Sequence, residues 1–242
     1  MRATEAIAVV IPCLNEAETI GPLVTAARRW IPKVIVVDDG STDGTASLAL
    51  KAGAEVLVQP VTSGKGSALR AGWNRAQELG FDWALCMDGD GQHAPEDIPV
   101  FLQSNEAVPL VIGNRMGDTA AMPHLRRWVN RWMSRQISRR LHRVLPDTQC
   151  GFRLMHLPAL RRLDVTASHF EIESDMLAGF VRANLPVQFV PVQTLYRSRK
   201  SRIHPLRDTV RWFRWWRSLA SPGVNLPQSP QTAVPPRRAV TG

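Results

Sequence analysis

The chain of 242 residues is long enough for one substantial core, and its 44% apolar and 21% charged content excludes a disordered or fibrous protein. Its 30 basic and 21 acidic residues leave a formal charge of +9 and a pI near 10.6, which implies an anionic partner: nucleic acid, a membrane surface or a phosphorylated substrate. The excess is arginine, since Lys33, Lys51, Lys65 and Lys200 are the only lysines, and it gathers between Arg126 and Arg143 and between Arg197 and Arg217. Trp128, Trp132, Trp212, Trp215 and Trp216 fall in the same two stretches. No stretch approaches the ~20 apolar residues of a spanning helix, and the first five residues lead straight into a strand-like run, so neither a membrane span nor a signal peptide is expected. Cys13, Cys86 and Cys150 are far apart and form no CxxC pair, which fits reduced thiols in a cytosolic compartment.

In chain order, residues 6–11, 34–37, 54–58 and 83–87 are apolar without polar alternation, as in strands covered on both faces. Between them, residues 18–30, 45–52 and 67–79 are expected as helices. This alternation predicts an α/β, Rossmann-like domain with a mostly parallel sheet, whose ligands bind beyond the carboxyl ends of the strands. After Ile112 the rhythm breaks into an Arg-rich helix over about 125–145, closed by Pro146-Asp147, then a helix over 171–183 and a strand over 187–195. An amphipathic helix is expected over 205–220, and the Pro-, Gln-, Ser- and Thr-rich residues 221–242 read as a disordered tail. Residues 1–204 form the single catalytic domain of this reading.

The strand over 83–87 runs into Asp88-Gly89-Asp90-Gly91-Gln92. Two carboxylates flanking one small residue can offer oxygens to a hard divalent cation such as Mg²⁺ or Mn²⁺, which in turn bridges phosphates. Asp-Gly is equally ordinary turn chemistry. A second acidic strand end, Asp38-Asp39-Gly40-Ser41-Thr42-Asp43-Gly44, and the polar end of the first strand, Pro12-Cys13-Leu14-Asn15-Glu16, point to the same side of the sheet. Adjacent carboxylates such as Asp38 and Asp39 need a cationic or donor-rich partner, for instance a base edge or a ribose hydroxyl.

These segments, with Gly64-Lys65-Gly66, Asp88-Gly89-Asp90-Gly91-Gln92-His93, Ile112-Gly113-Asn114-Arg115, Asp147-Thr148-Gln149-Cys150-Gly151-Phe152-Arg153 and Phe170-Glu171-Ile172-Glu173, resemble in order the family 2 glycosyltransferases of the GT-A fold. The dolichyl and polyprenyl phosphate sugar synthases are the most similar branch, and the resemblance spans about residues 6 to 204. It implies an inverting hexosyl transfer in which Pro12, Leu14, Glu16, Val37 and Asp39 line the base and ribose pocket. By the same resemblance Asp88 and Gly89 hold the sugar nucleotide, Asp90 and Gln92 ligate Mg²⁺ or Mn²⁺, and Arg115 faces the sugar or the acceptor phosphate. Arg202 falls where those synthases carry Ser-Lys and is expected on phosphate, although the glycine that precedes that pair is missing here.

Transfer to a hydroxyl needs a carboxylate to take its proton, whereas a phosphate monoester acceptor is already anionic. Glu171, Glu173 and Asp175 are the candidates for that base, with Glu171 and Asp175 on one helix face and Glu173 on another; favourable charge at a helix N-terminus explains them equally well. Gly64-Lys65-Gly66 lacks P-loop spacing, and His93 could assist at the metal site, but an isolated histidine beside a turn is more often solvated.

In the helix over 125–145, Val129, Met133, Ile137, Leu141 and Val144 form one stripe, expected to face the core. Arg127, Arg131, Arg135, Arg139 and Arg143 recur opposite, beside Trp128 and Trp132, a combination suited to a membrane interface or an anionic headgroup. In the last helix Arg207, Arg211 and Arg214 oppose Val210, Trp212, Phe213, Trp216 and Leu219, as in a helix lying on a bilayer; packing of that face onto the domain is the alternative. The expectation is therefore a cytoplasmic, membrane-peripheral enzyme that takes a sugar from a UDP or GDP sugar to a lipid-like acceptor. A basic nucleic-acid-binding protein leaves the acidic strand ends unexplained, so no nucleic acid is expected, and a nucleotide-sugar binder without turnover leaves the paired aspartates unexplained.

Overall fold

The computed structural model describes residues 2–117, 122–167, 169, 171–195 and 205–219, with side chains from residue 210 in the last segment. Arg202 with its loop, the Arg207 side chain and the tail after residue 220 lie outside the described residues.

The first half alternates β1 (Ile7–Cys13), α1 (Ala17–Ala27), β2 (Val34–Asp38), α2 (Thr45–Lys51), β3 (Glu55–Val58), α3 (Lys65–Glu78) and β4 (Trp83–Cys86). The short helix α4 (Ile98–Leu102) then leads to β5 (Leu110–Asn114), the long helix α5 (His124–Leu141), β6 (Arg153–His156), the single turn α6 (Leu157–Leu160), α7 (Ile172–Arg182), β7 (Val187–Pro191) and α8 (Pro205–Ser218). One seven-stranded sheet has the order β3-β2-β1-β4-β6-β5-β7. Its pairs β2/β3, β1/β2, β1/β4 and β5/β7 are parallel, and only β6 runs against its neighbours β4 and β5.

β1 and β2 are buried along almost their whole length, because their β-branched runs are covered on both faces. Close cover is possible where a side chain is missing: a Cβ on Gly72 of α3 would stand 2.4 Å from Val10 Cγ1 and 3.2 Å from Val37 Cγ2. The strand order reverses between β1 and β4, and the crevice beyond that switch point is the ligand position of open α/β sheets. Because β6 is antiparallel, the segment entering it, residues 147–152, reaches the same sheet edge as the carboxyl ends of β1, β2, β4 and β5.

Three expectations are corrected. β5 and β6 lie where no strand was expected, and for β6 Arg153 explains why: it is fully buried there, its guanidinium donating to the carbonyls of Cys150, Thr148 and Glu173. A charge satisfied by backbone carbonyls does not look like a strand in a sequence. The buried stripe of α5 adds Asn130 and Ser134 to the expected apolar series, of which Ile137 is buried and Met133 and Leu141 pack against the core, whereas Val144 lies past a helix that ends at His142 (φ 51°), 92% exposed. Finally, α8 packs on the domain. Trp212 is buried, its ring 5.6 Å from that of Trp132, Arg140 lies 3.7 Å over the Trp216 ring, and Trp215 Nε1 donates to Asp175 Oδ1 at 3.0 Å. The face assigned to lipid is therefore spent largely on protein, and Phe213 and Val210 are what α8 still exposes of it.

Candidate active site

The loops beyond β1, β2 and β4 are laced into one rim. Asp39 N–H donates to Cys13 O at 2.8 Å, Asn15 N–H to Ser41 Oγ at 2.7 Å, and Glu16 N–H to Thr45 Oγ1 at 2.8 Å. Thr42 N–H returns a bond to Asn15 Oδ1 at 2.8 Å, which suits the left-handed backbone of Asn15 (φ 49°). Thr19 Oγ1 donates to Gly89 O at 2.7 Å and so fastens the start of α1 to the β4 end. Gly89 is dictated by the crowding there, since a Cβ would meet Cys13 Sγ at 2.6 Å.

The donors that the adjacent carboxylates of Asp38 and Asp39 require come from the chain itself. Ser41 N–H binds Asp38 Oδ1 at 2.7 Å, while Ser63 and Gly64 N–H bind the two oxygens of Asp39 at 2.8 Å each. Asp39 thus shapes the loop that launches α3. Of the other residues expected around the nucleotide, Pro12 and Leu14 are partly exposed at the rim and Glu16 is buried in it. Val37 is corrected: its side chain is fully buried beneath α3 and presents no surface to a ligand.

At the switch point, Asp88 N–H donates to His93 Nδ1 at 3.0 Å. His93 is buried and stacked on Phe152 with ring centroids 5.1 Å apart, which corrects the expectation of a solvated histidine. Burial lowers its pKa, more than the carboxylates of Asp88 and Asp90 raise it. Asp90 Oδ1 accepts Gln92 N–H at 2.9 Å, and the left-handed Gly91 (φ 69°) closes that turn. Among the described residues no cluster of three or more His, Cys, Asp or Glu could hold a metal. The carboxylate of Asp90 and the side-chain amide oxygen of Gln92 nevertheless are the kind of oxygen donors that would hold a hard divalent ion.

Lys65, in the first turn of α3, brings its Nζ within 2.6 Å of both Asp88 Oδ1 and Glu173 Oε1. Burial works against its charge, but the two carboxylates more than offset that and hold the ammonium above its usual range. Asp88 is correspondingly held well below the usual carboxylate range: burial opposes its charge, and Lys65 together with His93 and Arg115 outweighs burial. Of the three acidic candidates near α7, only Glu173 joins Asp88. Asp175 turns away to accept the N–H groups of Thr166 and Ala167 at 2.8 and 3.0 Å, and Glu171 sits half-buried at the N-cap of α7.

Arg115 is buried and engaged, its Nε and Nη2 on Asp147 Oδ2 and Oδ1 at 2.8 and 2.9 Å. A role on a sugar or phosphate has to be shared with that forked pair. Sequence reasoning missed Arg126, placing it in the general basic run. Its Nη1 donates to Gln92 Oε1 at 3.1 Å, so α5 reaches the metal-ligand candidate itself. Ser134, two turns along the same face, meets Thr148 through both its hydroxyl and the Thr148 N–H, and Asn130 lies between them with a buried Nδ2 that has no hydrogen-bond partner among the described residues. The signal was available as a polar i, i+4, i+8 series on a helix with an apolar series elsewhere.

A mostly parallel sheet with a DxD strand end at its switch point, rimmed by acidic loops, defines a GT-A glycosyltransferase. The chain is 32% identical over 216 residues to glycosyltransferase AglJ of Haloferax volcanii, covering 86% of this chain and 70% of that one. It is 31% identical over 201 residues to the undecaprenyl-phosphate mannosyltransferase of Micrococcus luteus, covering 78% and 83%. Among solved structures, glucosyl-3-phosphoglycerate synthase of Mycobacterium tuberculosis with Mg²⁺ and UDP superposes with a TM-score of 0.64 at 26% identity, covering 88% of this chain and 77% of that one. The same enzyme with Mn²⁺, UDP and phosphoglyceric acid gives a TM-score of 0.67 at 24% identity over 88% and 76%, a likeness of fold. The sequence profile of "Glycosyl transferase family 2" matches residues 8–164, and the chain belongs to that family.

Proposed function

We propose that this glycosyltransferase takes a hexose from a UDP or GDP sugar and delivers it to a polyprenyl phosphate-like acceptor at a membrane surface. The observation that carries the reading is the Arg126–Gln92 contact, which joins the donor end of the sheet to a helix whose outer face is tryptophan and arginine. The relatives named for undecaprenyl-phosphate and dolichyl-phosphate transfer support the same acceptor class.

In this reading Pro12, Leu14, Glu16 and Asp39 border the base and ribose, Asp39 chiefly by fixing the 63–64 loop. Asp88 and Gly89 hold the sugar nucleotide, and Asp90 and Gln92 are the ligands for Mg²⁺ or Mn²⁺. Such an ion neutralises the diphosphate that leaves as the glycosidic bond breaks. Arg126 and the amide of Asn130 receive the acceptor phosphate, with Arg115 behind them on Asp147. That acceptor oxygen is anionic before attack, so neither Glu171 nor Glu173 has a proton to remove. Arg202 is kept as a phosphate contact on the strength of the resemblance alone.

The membrane face is assigned to the outer side of α5 with the exposed remainder of α8. Leu125 and Trp128, the latter 63% exposed, border a groove of about 520 Å³ together with Arg127, Arg131, Trp132 and Arg135. Phe213 of α8 continues it, its ring 5.9 Å from that of Trp132. Aromatic side chains among arginines match the headgroup layer of an anionic bilayer, each basic residue contributing about 1 kcal/mol. No helix among the described residues is long and apolar enough to cross a membrane.

A donor screen tests the proposal by reading released UDP or GDP, with Mn²⁺ or EDTA, and with polyprenyl phosphate, a soluble phosphate monoester or oligonucleotide. Metal-dependent release that rises only with the polyprenyl acceptor is the expected result. Release driven equally by a soluble phosphate refutes the lipid acceptor, and full activity in EDTA refutes the metal.

A further inference from the structure

Gly64-Lys65-Gly66 has no P-loop spacing, and the proposed chemistry assigns Lys65 nothing, yet its ammonium joins three elements. Lys65 opens α3, Asp88 lies just beyond β4 and Glu173 lies in the first turn of α7, so one cation ties the nucleotide-binding half of the sheet to the second half of the chain. The cluster is built to be tight. A Cβ on Gly151 would stand 2.8 Å from Glu173 Oε1 and 2.9 Å from both oxygens of Asp88, so the backbone of the segment entering β6 comes this close to the carboxylates only because residue 151 is glycine. Arg153 fixes the same helix end by donating Nη1 to Glu173 O at 2.5 Å. Two carboxylates this close are repulsive without a cation between them.

We propose that Lys65 is a positioning residue for glycosyl transfer: by gripping Asp88 and Glu173 together it sets the two carboxylates as one fixed pair of hydrogen-bond acceptors for the hydroxyls of the donor sugar. The proposal rests on the glycosyl-transfer reading of the site. A sugar ring is rich in O–H donors, and a pair of acceptors fixed from three elements orients it better than two independent side chains. The ammonium itself stays on the carboxylates rather than on the diphosphate.

The test uses the full chain with Lys65→Gln, Lys65→Arg and the double variant Lys65→Gln/Glu173→Gln. Steady-state turnover, calorimetric binding of UDP in Mn²⁺, and thermal melting are read side by side. Lys65→Gln is expected to lower kcat about 100-fold, the scale of a misplaced reacting group, while the affinity for UDP in Mn²⁺ stays within about threefold. Lys65→Arg, which keeps the cation, recovers much of kcat. In melting, Lys65→Gln is less stable than wild type, and adding Glu173→Gln restores most of the loss because the repulsion is removed. UDP affinity falling in step with kcat makes Lys65 a nucleotide ligand and overturns the proposal. So does a double variant whose losses simply add. A wild-type protein that turns over no donor fails the transfer reading alone, and the melting comparison then still decides whether Lys65 holds the pair.

Discussion

Removing the Asp147 carboxylate, as in Asp147→Asn, isolates the buried charge at the centre of the acceptor side. Asp147 is fully buried and Arg115 nearly so, and the forked pair at 2.8 and 2.9 Å is joined by a third bond from Arg115 N–H at 3.2 Å. Breaking one partner of such a pair leaves the other charge buried without compensation, at a cost of about 3–5 kcal/mol. For a domain of this size each kcal/mol moves Tm by about 2–4 °C, so the variant should melt roughly 6–20 °C lower. The double variant Arg115→Met/Asp147→Leu should regain most of that, since an apolar pair of similar bulk removes the orphan charge. The pH dependence has a definite sign. Burial alone would raise the Asp147 pKa, but Arg115 outweighs it and the folded value lies below the ordinary carboxylate value. The stabilisation is therefore complete above about pH 4 and is lost as pH falls towards the folded pKa. Differential scanning calorimetry from pH 7 down to pH 3 should show the wild-type and Asp147→Asn curves converging at the acid end. A loss below about 1 kcal/mol at pH 7, or curves that stay parallel, would refute the reasoning.

Asp90→Ala should abolish metal-dependent UDP binding with Tm nearly unchanged, because this partly exposed carboxylate contributes little to the core; calorimetry with and without Mn²⁺ checks it. Asp39→Ala should raise donor KM more than it lowers kcat, and should also cost about 1–3 kcal/mol of stability by orphaning the Ser63 and Gly64 N–H groups, as read by urea unfolding. Arg126→Ala should raise acceptor KM at least tenfold while leaving UDP binding in Mn²⁺ near normal, and an unchanged acceptor KM removes Arg126 from the acceptor site. Trp212→Ala should destabilise the protein by about 3–5 kcal/mol as a core truncation, whereas Trp128→Ser with Phe213→Ser should leave Tm nearly unchanged and weaken sedimentation with anionic liposomes.

The alternating half of the fold was legible because its strands are uniform β-branched runs and its helices carry clear starts. The strand ends proved one to two residues longer at their carboxyl ends for β1 and β2, where polar residues still pair with a neighbour. β6 was hidden by Arg153 and His156 at its two ends, the first buried on the carbonyls of Thr148, Cys150 and the more distant Glu173. Asp88, Asp90 and Gln92 were readable at a strand end, since local pattern and sheet topology agree there. Arg126 was not, because which of many arginines on α5 turns inward depends on the rotation of that helix. That rotation also buries Ser134 and Asn130 beside Ile137, polar positions whose burial only the neighbouring loops explain. The same limit applies to α8, whose apolar face suits lipid and protein equally until Trp132 and Asp175 are seen against it.

The placement of Trp128 along α5 has a consequence for how an acceptor is reached. Arg126 and Trp128 are two residues apart, about 3 Å along the helix axis. Positions two apart point to opposite sides of a helix, so if the exposed indole marks the depth of immersion, Gln92, on the other end of the Arg126 bond, stands one helix diameter, ~10 Å, from that plane. Under the proposed acceptor, a phosphate carried at the surface of a bilayer would then have about one helix diameter to cross to the donor. Most of an isoprenoid chain would stay in hydrocarbon over that distance, so the reaction would need no long apolar tunnel through the protein.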